Sequence, residues 1–138
     1  MNIIVCLEDN NGMMFNKRRL SQDVEVRNDI YKNLGDKSLI MNNYSFKMFQ
    51  KDNSDKNIVV SEDIPADDDQ NFQFIEDKKL CNFEDKIGQM IIYYWNRRYP
   101  SDLKFDIDIT DGNWEVVSEE EFAGKSHEKI TKKILARK

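Results

Sequence analysis

Asp23 is the side chain of this sequence best placed to do chemistry. It lies just inside a segment that reads as a helix, two residues beyond Ser21 and close behind the pair Arg18-Arg19. Buried at the end of a preceding strand, its carboxyl would be raised in pKa by desolvation and could act as a proton donor or a ligand-binding acid. At the surface it would instead cap the helix, held by the positive end of the helix dipole. Arg18 and Arg19 also read two ways, as a grip on an anionic ligand or as ordinary solvated charge.

Other groups are weaker candidates. Trp95-Asn96-Arg97-Arg98-Tyr99-Pro100 mixes aromatics with paired arginines, which suits stacking on a base or contact with phosphate. The plainer reading is a strand end whose aromatics pack while the arginines face water. His127, the only histidine, follows Gly124-Lys125-Ser126 and could exchange a proton near neutral pH, but it reads as an exposed tail residue. No nucleophile has a sequence context that marks Ser-His-Asp or Cys-His catalysis. Asp106-Ile107-Asp108-Ile109-Thr110-Asp111-Gly112 has acids like those of a calcium loop, yet its glycine comes one place late and no glutamate closes twelve residues. A two-zinc hydrolase of the ribonuclease Z type is excluded, since one histidine cannot build its metal site. No metal is expected.

The elements that must position Asp23 follow from hydrophobic pattern. Residues 3–7 (Ile-Ile-Val-Cys-Leu) form a short apolar run, and Glu8-Asp9-Asn10-Asn11-Gly12 ends it, so a central strand buried on both faces and then a turn are predicted. Ser21 reads as the cap of a helix whose stripe is Val24, Ile30, Tyr31 and Leu34 and whose stop is Gly35. Residues 38–41 and 57–61 read as strands flanking a short helix at residues 44–50. The order β-α-β-α-β predicts a parallel sheet with right-handed crossovers. Residues 62–71 read as a solvated loop, and Phe72 and Phe74 as part of a half-buried strand. Met90-Ile91-Ile92-Tyr93-Tyr94-Trp95 is the strongest strand signal. Phe105, Ile107 and Ile109 alternate with polar residues, which predicts a strand with one wet face. Asp111-Gly112-Asn113 reads as a turn and residues 114–117 as a further strand. In the tail from His127 to Lys138, local propensity favours a helix, with Ile130 and Ile134 four residues apart.

Composition bounds what such a fold can do. The chain has 138 residues, enough for one domain, 1–138, that buries about two thirds of the surface its unfolded form exposes. Hydrophobic residues make up 39% and charged residues 34%, which predicts a compact core under a charged skin rather than disorder. A net charge of −5 argues against general affinity for nucleic-acid backbones. Cys6 and Cys81 are far apart and suggest neither a disulfide nor a redox pair. No apolar stretch approaches the ~20 residues that cross a bilayer, and no secretory leader is read at the start, so a cytoplasmic protein without a membrane partner is expected.

Three blocks of the chain resemble dihydrofolate reductase. The first runs from Met1 to Leu34, where Leu20-Ser21-Gln22-Asp23 stands in place of the family's Leu-Pro-Glu-Asp and sets Asp23 on its substrate-protonating acid. The second joins Leu39-Ile40-Met41-Asn42-Asn43-Tyr44-Ser45-Phe46 to Lys56-Asn57-Ile58-Val59-Val60-Ser61, like the family's two cofactor-phosphate loops and the strands before them. The third runs from Ile91 onward, where Phe105-Asp106-Ile107-Asp108 and residues 114–122 are similar to the closing strands.

The resemblance implies an α/β fold: a mostly parallel central sheet, helices on its faces and antiparallel strands at the C-terminal edge, with a strand rather than a helix in the tail. It also implies a pterin-side cleft near Ile4, Val5, Asp23 and Tyr93, and residual hydroxyl contacts at Ser45 and Ser61. The departures point away from the family's reaction. Between Phe74 and Ile91 there is no Gly-Gly, only Gly88, and the segment is too short for the family's helix, strand and second helix. Asn42-Asn43 replaces a Gly-Arg that grips a 2′-phosphate, and Ser54-Asp55-Lys56 puts an acid where an arginine would clamp the folate carboxylate. The first loop offers Asn16-Lys17-Arg18-Arg19 in place of a Pro-Trp pair.

The expectation is therefore a small-ligand- or partner-binding protein with no cofactor and no dihydrofolate reductase activity. A reductase using NADPH at an altered site is the alternative. A nucleic-acid or protein interaction module using Arg18, Arg19, Arg97 and Arg98 is a third, and a homodimer would form if a strand edge or apolar patch is left uncovered.

Overall fold

Ile3, Ile4, Val5 and Leu7 put apolar side chains on both faces of an extended segment, which suits a strand covered from both sides. In the computed structural model, which describes residues 1–138, they lie in β1 (Asn2–Leu7). Ile3, Val5 and Leu7 enter one core cluster and Ile4 the other, as the two-residue period of a strand requires. The turn that follows is organised by Glu8, whose buried carboxylate accepts the N–H groups of Asn10 and Gly12 at 2.8 Å each. The chain then folds back on itself as β2 (Gly12–Phe15) and β3 (Arg18–Arg19). Asn16 and Lys17 between them both have positive φ, the signature of a tight two-residue hairpin loop.

Helix α1 (Val24–Leu34) buries Val26, Ile30, Tyr31 and Leu34 and stops at Gly35, whose φ of 59° is one that glycine adopts without strain. Its cap is Asp23 and not Ser21: Asp23 is extended, at φ −155° and ψ 127°, and its side chain accepts the Glu25 N–H. Next come β4 (Leu39–Met41), α2 (Asn43–Phe49) and β5 (Ile58–Val60), with all three residues of β4 buried. The strand β6 (Phe72–Phe74) is fully buried rather than half-buried, because it lies in the sheet interior between β4 and β1. Its one polar residue, Gln73, is satisfied by donating to the Pro65 carbonyl at 3.0 Å. A short 3-10 helix, Cys81–Lys86, is the only helical element between β6 and β7 (Gln89–Tyr94).

The remaining strands are β8 (Leu103–Lys104), β9 (Trp114–Phe122) and β10 (Ile130–Arg137). The main sheet has the order β5-β4-β6-β1-β7-β10-β9, with parallel pairing from β5 through β7 and antiparallel pairing of β10 with both β7 and β9. A second, small sheet has the order β3-β2-β8. Val26, Ile30, Tyr31 and Leu34 of α1 and Met48 and Phe49 of α2 enter the cluster that contains Ile4, whereas the opposite face is covered by Met13, Met14, Phe105, Ile107 and Trp114 among others.

Two segments depart from pattern-based expectation. Phe105 and Ile107 are buried as an alternating strand would bury them, but residues 105–109 join no ladder. The intervening acids bind local backbone instead: Asp106 accepts the N–H groups of Leu80 and Cys81, at 2.8 and 3.0 Å, and Asp108 accepts that of Thr110 at 2.8 Å. The tail is strand β10, because β7 offers it a ladder and a buried side. There Lys132 ends between Asp29 at 2.9 Å and Glu120 at 3.2 Å, a pairing that helical propensity cannot foresee. No helix is long and apolar enough to cross a membrane.

Candidate functional site

The carboxyl ends of parallel strands leave a crevice where helices and strands diverge, and open α/β sheets place ligands there. Here Cys6 near the end of β1, Phe74 and Glu76 at the end of β6, and Trp95 just past β7 form the floor of such a cleft. Helix α1 supplies Val26 and Ile30, α2 supplies Met48 and Phe49, and the β2–β3 hairpin supplies Met13 and Arg19. The free space in the cleft is only about 20 Å³, room for about one water molecule and far below the range for small-molecule sites. It is narrow, so an occupant must part its walls, and the flexible side chains of Met13 and Met48 allow that.

The polar centre of the cleft is a fork between Arg19 and Glu76. Arg19 donates from Nε to Oε1 at 3.1 Å and from Nη2 to Oε2 at 2.8 Å. Its guanidinium lies 4.5 Å over the Tyr44 ring, and its backbone N–H donates to the Tyr44 hydroxyl at 2.9 Å. Buried Ser45, in α2, donates from Oγ to Glu76 Oε2 at 2.7 Å. Glu76 Oε1 accepts from Arg19 alone, so it has capacity for one further donor. The Cys6 thiol is pushed up by burial and by the Glu76 charge, which keeps it protonated and inert.

Asp23 lines the same cleft and is buried, but its carboxylate is already taken. It accepts from Glu25 N at 2.9 Å, Lys125 N at 2.9 Å, Ser126 N at 2.8 Å and His127 Nδ1 at 2.9 Å. Burial raises its pKa, as expected of a desolvated acid. The hydrogen bonds from His127 and from the three backbone N–H groups outweigh burial and pull the pKa down to about 2. The expected raised pKa is thus reversed, and at neutral pH Asp23 holds no proton to donate.

His127 is not an exposed tail residue. Its side chain is 2% exposed and stacks on Trp95, with centroids 4.6 Å apart and planes 24° apart. With Asp23 on Nδ1, the neutral ring carries its proton there and leaves Nε2 as acceptor. Nε2 lies 2.9 Å from Ser21 Oγ and 3.4 Å from the Tyr99 hydroxyl. No spacing in the sequence announces this, since Ser21 and His127 are 106 residues apart.

Gly124 makes the arrangement fit: a Cβ there would lie 2.5 Å from Asp23 Oδ2 and 2.9 Å from the His127 carbonyl oxygen. Gly124→Ala is therefore expected to lower stability by about 1–3 kcal/mol in urea unfolding. Gly88→Ala, with open space around its Cβ, should lower it by less than about 1 kcal/mol. Equal losses at the two positions would contradict the close approach.

The other sequence-predicted residues fall elsewhere. Ile4 and Val5 belong to the two core clusters and do not line the cleft. Tyr93 is fully buried and donates its hydroxyl to Asp29 at 2.6 Å, outside the lining. Arg18 is exposed on the hairpin, as are Arg97 and Arg98 beyond β7. Ser61 lines a separate cleft with Glu62, Asp63, Asp77 and Lys78, a net negative set that would repel the phosphate that the sequence resemblance places there. The N-terminus of α2 is occupied as well, with the Asn43 N–H donating to Glu62 at 2.8 Å.

No protein-family model matches this sequence, and no curated protein matches it. Among solved structures, dihydrofolate reductase from Enterococcus faecalis, complexed with NADP(H) and RAB-propyl, superposes with a TM-score of 0.66 at 8% identity. The match covers 99% of this chain and 95% of that one. Together with a mostly parallel sheet closed by antiparallel C-terminal strands, it shows that this chain has the dihydrofolate reductase-like fold.

Proposed function

We propose that this protein binds a small, flat, largely apolar ligand in the cleft between α1 and the strand ends, without reducing dihydrofolate. The observation that carries the reading is the charge-neutral Arg19–Glu76 fork set among apolar walls. Such a site favours a heteroaromatic ring over a strongly charged molecule, because a net charge there would lose its hydration without an unpaired partner. The lone pair of Glu76 Oε1 suits a ring N–H.

A nicotinamide dinucleotide, which the fold suggests, does not fit the residues present. Glu62 occupies the α2 N-terminus, and the cleft at Ser61 carries three carboxylates against one cation, Lys78, which is paired with Asp77. The acid of the cleft holds no proton at neutral pH. These features support a reading in which the protein does not reduce dihydrofolate.

Thermal unfolding in the presence of a pterin, dihydrofolate, NADPH, NADH and common nucleotides tests the reading. A pterin at 100 times its Kd is expected to raise the midpoint by roughly 5–10 °C, and neither nicotinamide cofactor should move it. Glu76→Gln should weaken the pterin shift. A shift with NADPH or NADH would sink the no-cofactor part, and absence of any shift with pterin, dihydrofolate and nucleotides would sink the cleft reading.

A further inference from the structure

Three groups that no local motif connects stand in one hydrogen-bonded line. Asp23 Oδ2 is 2.9 Å from His127 Nδ1, and His127 Nε2 is 2.9 Å from Ser21 Oγ. We propose that Ser21, His127 and Asp23 form an acyl-transfer centre in which Ser21 Oγ attacks short-chain carboxylic esters. Each member has the environment its role requires. Asp23 is buried and ionised, so it fixes the Nδ1–H tautomer and can balance an imidazolium. His127 is held by its stack on Trp95, which aims Nε2 at the hydroxyl. Ser21 is half-buried and lines the cleft that would hold the acyl group.

The step closes without an oxidant or reductant. Ser21 Oγ forms a bond to the ester carbonyl carbon while its proton passes to His127 Nε2. The carbon–oxygen bond to the alkoxide then breaks, and Nε2 returns the proton to the leaving oxygen. Water attacks the acyl-serine by the same route, its proton going through Nε2 to Ser21 Oγ, and the carboxylic acid departs. Negative charge on the tetrahedral oxygen needs donors. The Gln22 N–H, next in the chain after Ser21, makes no backbone hydrogen bond, and the Tyr99 hydroxyl lies 3.5 Å from Ser21 Oγ. The backbone N–H of the residue after a nucleophile is a usual oxyanion donor, and the Tyr99 hydroxyl, which now donates to Ser21 Oγ, is free to turn to that oxygen when Ser21 is acylated. The substrate class follows from the cleft: an ester whose acyl part is small and apolar.

This inference rests on the cleft reading for where the acyl group lies, and the two can fail separately. The intact protein is treated with a fluorophosphonate probe, digested and mapped by mass spectrometry, and its turnover of p-nitrophenyl butyrate is followed. Labelling of Ser21 is expected. Ser21→Ala should lose the label and drop turnover by at least about 100-fold, and His127→Gln should do the same with Ser21 still present. Both variants should keep a single cooperative thermal unfolding transition, which shows that they fold. Failure to label Ser21, or full turnover by Ser21→Ala, overturns the acyl-transfer centre even if the pterin shift stands. Labelling without any ligand-induced shift leaves the centre standing and overturns the cleft's heteroaromatic occupant.

Discussion

Replacing Asp23 by alanine is expected to lower stability by about 3–5 kcal/mol, a large part of the total for a chain of this size. The carboxylate is the single acceptor on which α1's first turn, the backbone at Lys125 and Ser126, and the His127 ring all converge. Loss of a helix cap accounts for about 1 kcal/mol of this. The rest comes from the buried His127 ring and the part-buried N–H groups of Lys125 and Ser126 left without a partner. Acid should mimic the mutation. The folded-state pKa is about 2, below the model-peptide value of 3.8, so the contribution is fully present above pH 4. It declines as pH falls from there and is gone below pH 2, for about 2 kcal/mol in all. Urea unfolding midpoints from pH 6 to pH 2 measure both effects. Asp23→Asn should flatten the acid limb of that profile, and a variant that titrates like the parent would refute the assignment.

Glu76→Ala should cost a similar amount, about 3–5 kcal/mol, through a different mechanism. It strands the Arg19 guanidinium, whose side chain is 19% exposed, and leaves the buried Ser45 hydroxyl without its acceptor. Removing both charges with shape-preserving groups, as in Arg19→Met with Glu76→Leu, should restore most of the loss, because two desolvated charges gain little net stability from each other. A double-mutant cycle by denaturant unfolding reads the coupling, expected above about 1 kcal/mol. A loss under about 1 kcal/mol for Glu76→Ala alone would show that the fork is solvated and not a fixed feature of the cleft.

The fold was legible where pattern and environment agree. The apolar run of β1, the capped stripe of α1 and the aromatic run of β7 are each dictated by local residues and lie where expected. Legibility failed where a distant partner decides. Phe72 and Phe74 look half-buried in sequence because Gln73 separates them, yet Gln73 is buried too, against Pro65. The tail has helical propensity, and only the ladder on β7 makes it a strand. At the site, Asp23 was visible from its position at a helix start. Whether it would be protonated depended on residues 125–127, which carry no recognisable signature. His127 was misread for the same reason, since a lone histidine near a glycine has no local mark of burial.

The dependence of Asp23 on that distant hairpin has a consequence in time. The three donors from residues 125–127 are made more than a hundred positions after the acid they bind. At ribosomal rates of roughly 5–20 residues per second, the mouth of the cleft waits about 5–20 s for the groups that finish it. Until then Asp23 is held only by its own helix, Ser21 has no histidine beside it, and the nascent chain carries the cleft with that side of its mouth unfinished.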